Sequence, residues 1–228
     1  MNKFEVKRFI NAARFPILLV ATLWTVKIIE QITDQSFAEY GLQPRKVEGL
    51  LGIVGAVFLH ADWKHLFNNS IPLLILGSSL FYFYKEVAWK VIIWVVIMGG
   101  LWTWISARES VHIGASGLLY GLFSFLLFSG FIRRNKQLLS ISFLVAFLYG
   151  SLVWGLLPID YRVSWESHLW GFIAGIVLAI YYRKIGMQME KHVWNEEEEE
   201  ILENLDYWKK EGDKKRKVNY IFKEKEKD

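Results

Sequence analysis

The chain has 228 residues, of which 53% are apolar, 16% aromatic and 22% charged, and its formal net charge is +4. So many apolar residues exclude an ordinary soluble domain, and the charged residues are segregated from the apolar stretches. The chain has no cysteine, which excludes disulfides, thiolate nucleophiles and thiolate metal ligands.

Six apolar stretches follow one another in the chain, each near the ~20 residues that a helix needs to cross a hydrocarbon core. We therefore predict an all-α polytopic membrane protein. Its parts would be a basic cytoplasmic N-terminus (1–14), a membrane domain of six helices (15–185) and a charged cytoplasmic C-terminal tail (186–228). The predicted helices are 15–32, 63–84, 87–105, 116–132, 138–157 and 167–182.

The first apolar stretch has the basic N-terminal flank of a signal peptide. No small-x-small cleavage site follows it, and the stretch continues through Lys27 and Glu30, so we predict an uncleaved first helix. Lys27 and Glu30 are three residues apart on one helical face. We expect them to pair, or to reach the membrane interface, near the outer end of this helix.

Residues 33–64 are too many for a hairpin and too mixed in polarity for a spanning helix. We predict a structured, partly embedded loop between the first and second helices. Its apolar middle, residues 50–59, is too short to span and suits an interfacial or re-entrant segment. Asp62 is expected to cap the second helix, because its carboxylate can accept from the free N–H groups of the first turn.

Lysine and arginine residues near the predicted helix ends are concentrated on the side of the membrane that holds both termini. By the positive-inside rule, this side is the cytoplasm. The second, fourth and sixth helices then begin on the outer side, and polar residues near these beginnings lie at one depth. These residues are His65, Asn69, Ser116 and His168. Strongly polar groups inside a membrane are costly, so four at one level predict a functional site.

The four residues have the functional groups of a serine hydrolase. Residues 114–117 read Gly-Ala-Ser-Gly, and Ser116 would be the nucleophile with His168 as its general base. His65 and Asn69 lie four residues apart on one helical face, and would donate to an oxyanion beside the Ser116 N–H at the positive end of the helix dipole. The alternative is that Ser116 is a packing residue, as is common where membrane helices approach closely.

Small residues also predict close contact between the fourth and sixth helices. The two glycine pairs that indicate it are Gly117 with Gly121 and Gly171 with Gly175. Because His168 shares a helical face with the second pair, the packed face would also aim the imidazole. Tyr120, one turn after Ser116, is expected to stack on this ring, with ordinary interior packing as the alternative.

These segments resemble the rhomboid family of intramembrane serine proteases, over about residues 42–180. The resemblance is carried by Phe-Leu-His at 58–60 with Asp-Trp-Lys-His-Leu-Phe-Asn-Asn at 62–69, by 114–117 with Tyr-Gly at 120–121, and by Ser-Trp-Glu-Ser-His at 164–168. It implies a six-helix core, a Ser116–His168 dyad, and His65 and Asn69 at the oxyanion. Gly114 and the glycines named above would support the site.

The resemblance also implies an activity and a location. The chain would cleave the transmembrane segments of single-pass or polytopic membrane proteins, which would reach the site laterally near the fifth helix. It would reside in a bacterial inner membrane with both termini in the cytoplasm, and its partners would be these substrates and the lipid bilayer. Neither a cofactor nor a metal is predicted, because no spacing suggests a metal cage, and the charge distribution does not indicate nucleic-acid binding.

Several residues admit other interpretations. His112 could serve as a base, but its place before the helix favours a loop role. Glu166 could orient His168, although two residues apart at a helix start is poor geometry for that bond. His60 and Trp63 are expected to hold the loop. The Trp-Arg pair found in the first loop of some rhomboids is absent, which puts the contacts that anchor this loop in question.

Two other classes of membrane protein are less consistent with the sequence. A catalytically silent relative that escorts membrane proteins would be expected to lack the serine or the histidine, and both are present here. A transporter would be expected to show interrupted helices in matching halves, whereas in this chain Pro72 alone predicts a kink.

The tail has an acidic run at 196–200 and basic residues between 209 and 217. A solvated tail is expected from this pattern, with docking of the basic segment on anionic lipid as the alternative.

Overall fold

A computed structural model describes residues 3–188 of the chain. Over these residues the protein is helical and contains no β-strand, apart from one isolated antiparallel bridge between Leu42 and His112. The α-helices are α1 Lys3–Thr33, α2 Gly52–Gly55, α3 Trp63–Phe83, α4 Ala88–Ser106, α5 Ser116–Arg133, α6 Lys136–Tyr149 and α7 Trp165–Tyr181. The acidic and basic runs predicted to form the tail lie outside the described residues.

Five helical segments are long and apolar enough to span a membrane: α1, α3, α4, α5, and residues 136–156, in which α6 continues as a 3-10 turn. The segment predicted as the sixth span is α7, which has 17 residues. Helices α3 to α7 begin within two residues of their predicted starts. Helix α3 continues through Pro72 as one helix.

Helix α1 begins at Lys3, although the sequence predicted a helix only from residue 15. Its first turns are held against the end of α3. Arg8 Nη2 donates to the Tyr82 carbonyl at 3.1 Å and its guanidinium lies 4.3 Å from the centre of the Tyr82 ring, while the Tyr82 hydroxyl donates to Glu5. Because these charged groups have partners on α3, the helix begins well before the apolar stretch does.

Helix α5 lies at the centre of the protein, where it contacts α3, α4, α6 and α7. Its buried residues cover all sides of the helix, among them Phe125 and Leu126, which are fully buried. A helix that is apolar all round is typical of such a central position. Ser116 is the first residue of this helix, so the least exposed element of the fold positions the hydroxyl.

Glycines allow α5 and α7 to touch backbone to backbone. A Cβ on Gly171 would overlap the carbonyl of Gly117, and a Cβ on Gly175 would overlap the carbonyl of Gly121. A Cβ on Gly121 would in turn lie 3.1 Å from the Gly171 carbonyl oxygen. Larger side chains at these positions would separate the two helices.

The loop between α1 and α3 is structured and is fastened to α1 at both of its ends. It contains α2 and the 3-10 turns Ala38–Tyr40, Glu48–Leu50 and Ala56–Phe58. Lys27 Nζ forms the predicted ion pair with Glu30 at 3.1 Å, and also donates to the carbonyls of His60 and Ala61 at 2.9 and 3.1 Å. Glu30 accepts from the Phe37 N–H at 2.8 Å. One pair of charges therefore fixes the first and the last turn of the loop.

The middle of the loop is attached to the end of α4. The Arg45 N–H donates to the Trp104 carbonyl at 3.0 Å, and Trp104 Nε1 donates to the Lys46 carbonyl at 2.8 Å. The Arg45 side chain also donates to the Ala107 carbonyl at 2.6 Å. An arginine and a tryptophan from distant parts of the sequence thus anchor this loop, which lacks an adjacent Trp-Arg pair.

Candidate active site

The N-terminal ends of α3, α5 and α7 surround an open cavity of about 610 Å³. The four polar residues predicted to form a site all line it, as does Tyr120: they are His65 and Asn69 from α3, Ser116 from α5 and His168 from α7. Asp62 caps α3 as predicted, since its side chain accepts from the His65 N–H at 2.8 Å. The cavity therefore joins groups that are up to 103 residues apart in the chain.

Ser116 and His168 are hydrogen-bonded to each other. Ser116 Oγ lies 2.8 Å from His168 Nε2, and both residues are buried, each with 8% of its surface exposed. The other ring nitrogen, Nδ1, lies 2.9 Å from the carbonyl oxygen of Gly155. A carbonyl can only accept, so Nδ1 carries the proton and Nε2 presents a lone pair to the serine hydroxyl. This is the tautomer that a general base for Ser116 needs.

Tyr120 covers one face of the His168 ring. The two rings are stacked, with their centres 4.3 Å apart and their planes within 9° of parallel. The Tyr120 hydroxyl donates to the Leu152 carbonyl at 2.8 Å. The imidazole is thus restrained in plane by Gly155 and Ser116, and out of plane by a tyrosine that is itself held at its far end.

His65 and Asn69, the residues predicted to donate to an oxyanion, line the same cavity as Ser116. Gly114 has a φ of +118°, and a Cβ built on it would lie 2.7 Å from His65 Cε1 and 3.7 Å from Ser116 Oγ, so the glycine lets the His65 ring approach the serine. Asn69 is buried, and its Nδ2 has no hydrogen-bond partner among the described residues. A buried amide without a partner is costly unless a ligand accepts from it.

The first turn of α5 contributes further donors at the same place. The first N–H groups of a helix have no partner within the helix, and they form the positive end of its dipole. The Ser116 N–H belongs to this turn. Negative charge that develops beside Ser116 would therefore be stabilised by the backbone as well as by side chains from α3.

The chain matches the Rhomboid domain family over residues 48–185, which is more than half of its length. It belongs to the rhomboid family. With its apolar helices, this rhomboid is an integral membrane protein. The match covers the whole of the cavity, from the loop before α3 to the end of α7.

Similar proteins occur in bacteria and plants. The rhomboid is 40% identical to an uncharacterised protein of Mycobacterium tuberculosis over 171 residues, which cover 70% of each chain. It is 31% identical to RHOMBOID-like protein 2 of Arabidopsis thaliana over 133 residues, covering 55% of this chain and 40% of that protein. It is 24% identical over 143 residues to the Bacillus subtilis protein YdcA, which is named as a candidate rhomboid protease, covering 56% of this chain and 64% of YdcA.

His60 of the rhomboid contacts the His65 ring in an edge-on arrangement. The two imidazoles lie 5.0 Å apart, and His60 Nε2 accepts from the Ala115 N–H at 3.4 Å. Burial, together with the nearby His65, lowers the pKa of His60 to about 4, so the ring is neutral at pH 7 and can accept this bond. Trp63 packs on Trp24 of α1, with ring centres 5.8 Å apart. His60 therefore connects the loop to the start of α5 as expected, whereas Trp63, which was expected to hold the loop, is the first residue of α3 and connects that helix to α1.

The two other candidates for acid–base roles are engaged elsewhere in the rhomboid. His112 Nδ1 is hydrogen-bonded to Ser164 Oγ, its Nε2 contacts the Arg108 carbonyl at 3.2 Å, and burial lowers its pKa. Glu166 lies 3.6 Å from Arg108 Nε and not on the Nδ1 side of His168. Among residues 3–188, no group of three or more His, Asp or Glu side chains could hold a metal.

The sequence did not indicate the acceptors of the His168 and Tyr120 bonds. Both are backbone carbonyls in the 3-10 turn Gly150–Leu156, which follows α6. A backbone acceptor has no side-chain signature, so residue patterns could not identify it. The one trace in the sequence is the glycine at position 155, and the structure gives its reason: a Cβ there would overlap the Tyr120 hydroxyl.

Proposed function

We propose that this rhomboid is an intramembrane serine endopeptidase, with Ser116 as nucleophile and His168 as general base. The observation that carries the proposal is the 2.8 Å hydrogen bond between Ser116 Oγ and His168 Nε2, in which the second imidazole nitrogen already has an acceptor. A serine hydroxyl is a weak nucleophile without such a base.

In the proposed reaction, Ser116 Oγ attacks the carbonyl carbon of a peptide bond while its proton passes to His168 Nε2. The carbonyl oxygen becomes an oxyanion, which accepts from Asn69 Nδ2, the His65 ring and the Ser116 N–H. When the tetrahedral intermediate collapses, the C–N bond breaks and Nε2 gives its proton to the leaving amine. A water molecule, deprotonated by the same nitrogen, then hydrolyses the acyl-enzyme and restores Ser116.

The substrates are proposed to be transmembrane segments of single-pass or polytopic membrane proteins. The site lies in an open cavity at the ends of membrane helices, which supports this class. Because the backbone groups of a membrane helix are hydrogen-bonded internally, a substrate must unwind locally before its carbonyl carbon reaches Ser116. Segments with a weak helical stretch would therefore be cleaved first.

We further infer a topology with six spans and both termini in the cytoplasm of a bacterium. Helix α7 would be the sixth span, since it is apolar and packs against the central helix α5 through the glycine contacts of Gly171 and Gly175. The excess of lysine and arginine on the side of the termini supports the orientation. The cavity would then open near the outer face of the inner membrane.

The proposal is tested with a fluorophosphonate probe and a transmembrane substrate, using the purified protein in detergent or liposomes. We expect labelling at one site, mapped by peptide mass spectrometry to residues 114–117. Ser116→Ala should abolish labelling and cleavage, and His168→Ala should reduce both by about 10³-fold or more, because the proton then has no acceptor.

A matched control is Ser129→Ala, which removes another buried serine of α5 remote from the cavity. It should leave labelling and cleavage unchanged. Cleavage by a folded Ser116→Ala variant, or labelling elsewhere in the wild type, would refute the dyad. Substrate binding without any cleavage would instead identify a catalytically silent escort.

A further inference from the structure

The 3-10 turn Gly150–Leu156 contacts the site at two points, and both contacts involve its backbone. The Gly155 carbonyl lies 2.9 Å from His168 Nδ1, and the Leu152 carbonyl accepts from the Tyr120 hydroxyl at 2.8 Å. The Gly155 carbonyl lies in the last turn of the segment, where carbonyls have no partner within the helix. The Leu152 carbonyl lies further in, and because a carbonyl oxygen has two lone pairs it can accept from Tyr120 in addition to a bond within the turn. The two carbonyls bind the imidazole and the ring stacked on it.

Gly155 is also sterically specified. A Cβ at this position would overlap the Tyr120 hydroxyl and lie 3.3 Å from His168 Nδ1. Gly150, at the other end of the same turn, has nothing within 4 Å of the corresponding Cβ. The turn therefore contains one glycine that the site requires and one that it does not.

We propose that residues 152–155 of this turn are the positioning element of His168, in which the Gly155 carbonyl selects the Nδ1–H tautomer and the Leu152 carbonyl keeps Tyr120 stacked on the ring. This inference rests on the proposed function, because it assigns the part that orients the base. In serine hydrolases with a third residue, a carboxylate holds the imidazole in this way. Here Glu166 is engaged by Arg108, and a neutral carbonyl takes that place.

The chemical consequence follows from the charge on the ring. When Nε2 takes the proton of Ser116, the imidazole becomes a cation, and the bond from Nδ1–H to the Gly155 carbonyl becomes charge-assisted and stronger. The carbonyl thus stabilises the transition state more than the ground state, which is the condition for raising kcat. If the imidazole adopted the other tautomer, Nε2 would carry the proton and could not accept one from Ser116.

The test compares Gly155→Ala with Gly150→Ala, the matched control. We expect Gly155→Ala to lower kcat by roughly 10²-fold, with KM changed less than about twofold, and to slow fluorophosphonate labelling equally. Gly150→Ala should match the wild type in all three. A folded Gly155→Ala protein, judged by its melting temperature in detergent, that retains the kcat of Gly150→Ala would overturn the proposal.

Two measurements separate positioning from general damage. Because the added methyl group overlaps the same Tyr120 hydroxyl that the Leu152 carbonyl holds, Tyr120→Phe should lower kcat in the wild type but lower it much less in the Gly155→Ala background, a coupling typical of residues in contact. In wild-type protein, the ¹⁵N signals of His168, assigned with the His168→Ala variant, should report a protonated Nδ1 and an unprotonated Nε2. An Nε2–H tautomer would overturn the proposal even if Gly155→Ala failed to fold.

This design also distinguishes the two proposals from each other. An unlabelled Ser116 in the wild type refutes the proposed function, whereas the ¹⁵N measurement reports the tautomer without any turnover. An active wild type with equal Gly155→Ala and Gly150→Ala variants refutes the positioning role alone.

Discussion

The two partners of the Ser116–His168 pair depend on regions that are packed very differently. In α5, which begins with the serine, 72% of an 18-residue stretch is buried inside the protein, whereas the corresponding value for residues 136–156 is 17%. The second region carries the carbonyl groups that orient the histidine. The position of the proposed nucleophile is thus set by a tightly packed interior, and the orientation of the proposed base by a peripheral segment.

The proximity of Ser116 to His168 and the orientation of the His168 ring have separate structural origins. The α5–α7 contact sets the distance between Ser116 and His168, because the glycines there leave no space for a side chain. The tautomer of the imidazole is set by a turn that contributes only backbone oxygens. Changes in the first region should therefore affect folding and catalysis together, and changes in the second should affect catalysis alone.

The largest effect is expected from breaking the packed region with Gly171→Val. The side chain would collide with the Gly117 carbonyl, a backbone group that cannot move aside, so α5 and α7 must separate. Since a displacement of about 1 Å can reduce the rate by ~10²-fold, we expect cleavage to fall by more than that factor. The melting temperature in detergent should fall as well, while Gly150→Val, at an open position, should change neither.

A second variant tests whether Asn69 stabilises a developing oxyanion, and it disturbs neither of the two regions. Asn69→Ala removes the unpaired amide of α3, and we expect kcat to fall by about 10²-fold with KM and melting temperature nearly unchanged. Asn68→Ala, which alters an exposed neighbour at the same cavity, is the control and should retain its kcat. An equal loss in binding and turnover for Asn69→Ala would identify a docking role instead of an oxyanion donor.

The difference in packing itself can be measured with one pair of phenylalanines. Phe125 of α5 is fully buried, whereas Phe147 of α6 is 86% exposed. Phe125→Ala should lower the free energy of unfolding by about 3 kcal/mol, because it leaves a cavity that its neighbours cannot fill. Phe147→Ala should change it by less than about 0.5 kcal/mol. Comparable losses in both variants, measured by denaturation in mixed micelles, would contradict the comparison.

Much of this fold follows from the distribution of apolar residues along the chain. The starts of α3 to α7 were predicted to within two residues, because each is marked by a change from polar to apolar residues. The start of α1 was predicted wrongly. Charged residues usually mark the end of a membrane helix, but Arg8 and Glu5 here bind Tyr82 and continue the helix. Such pairing between distant segments is not visible in a local pattern.

The residues around the cavity were predictable to the extent that their side chains carry the chemistry. Ser116, His168, His65 and Asn69 are distinctive because such groups are rare in apolar helices, and membership of the rhomboid family, inferred from the motifs around them, is confirmed. Their catalytic roles stay predictions. The contribution of Gly155 and Leu152 was missed, because any residue could supply a carbonyl and only the fold shows where it is directed.

The Lys27 ammonium has a consequence for how the protein adapts to its bilayer. It binds the carbonyls of His60 and Ala61, directly before the first turn of α3, and the His60 ring accepts from the backbone at the start of α5. These hydrogen bonds therefore fix the depths of the helix ends relative to one another, independently of the surrounding lipid. In a membrane of different thickness the bundle would meet the hydrophobic mismatch by tilting as a unit, and the proposed oxyanion donors would stay level with Ser116.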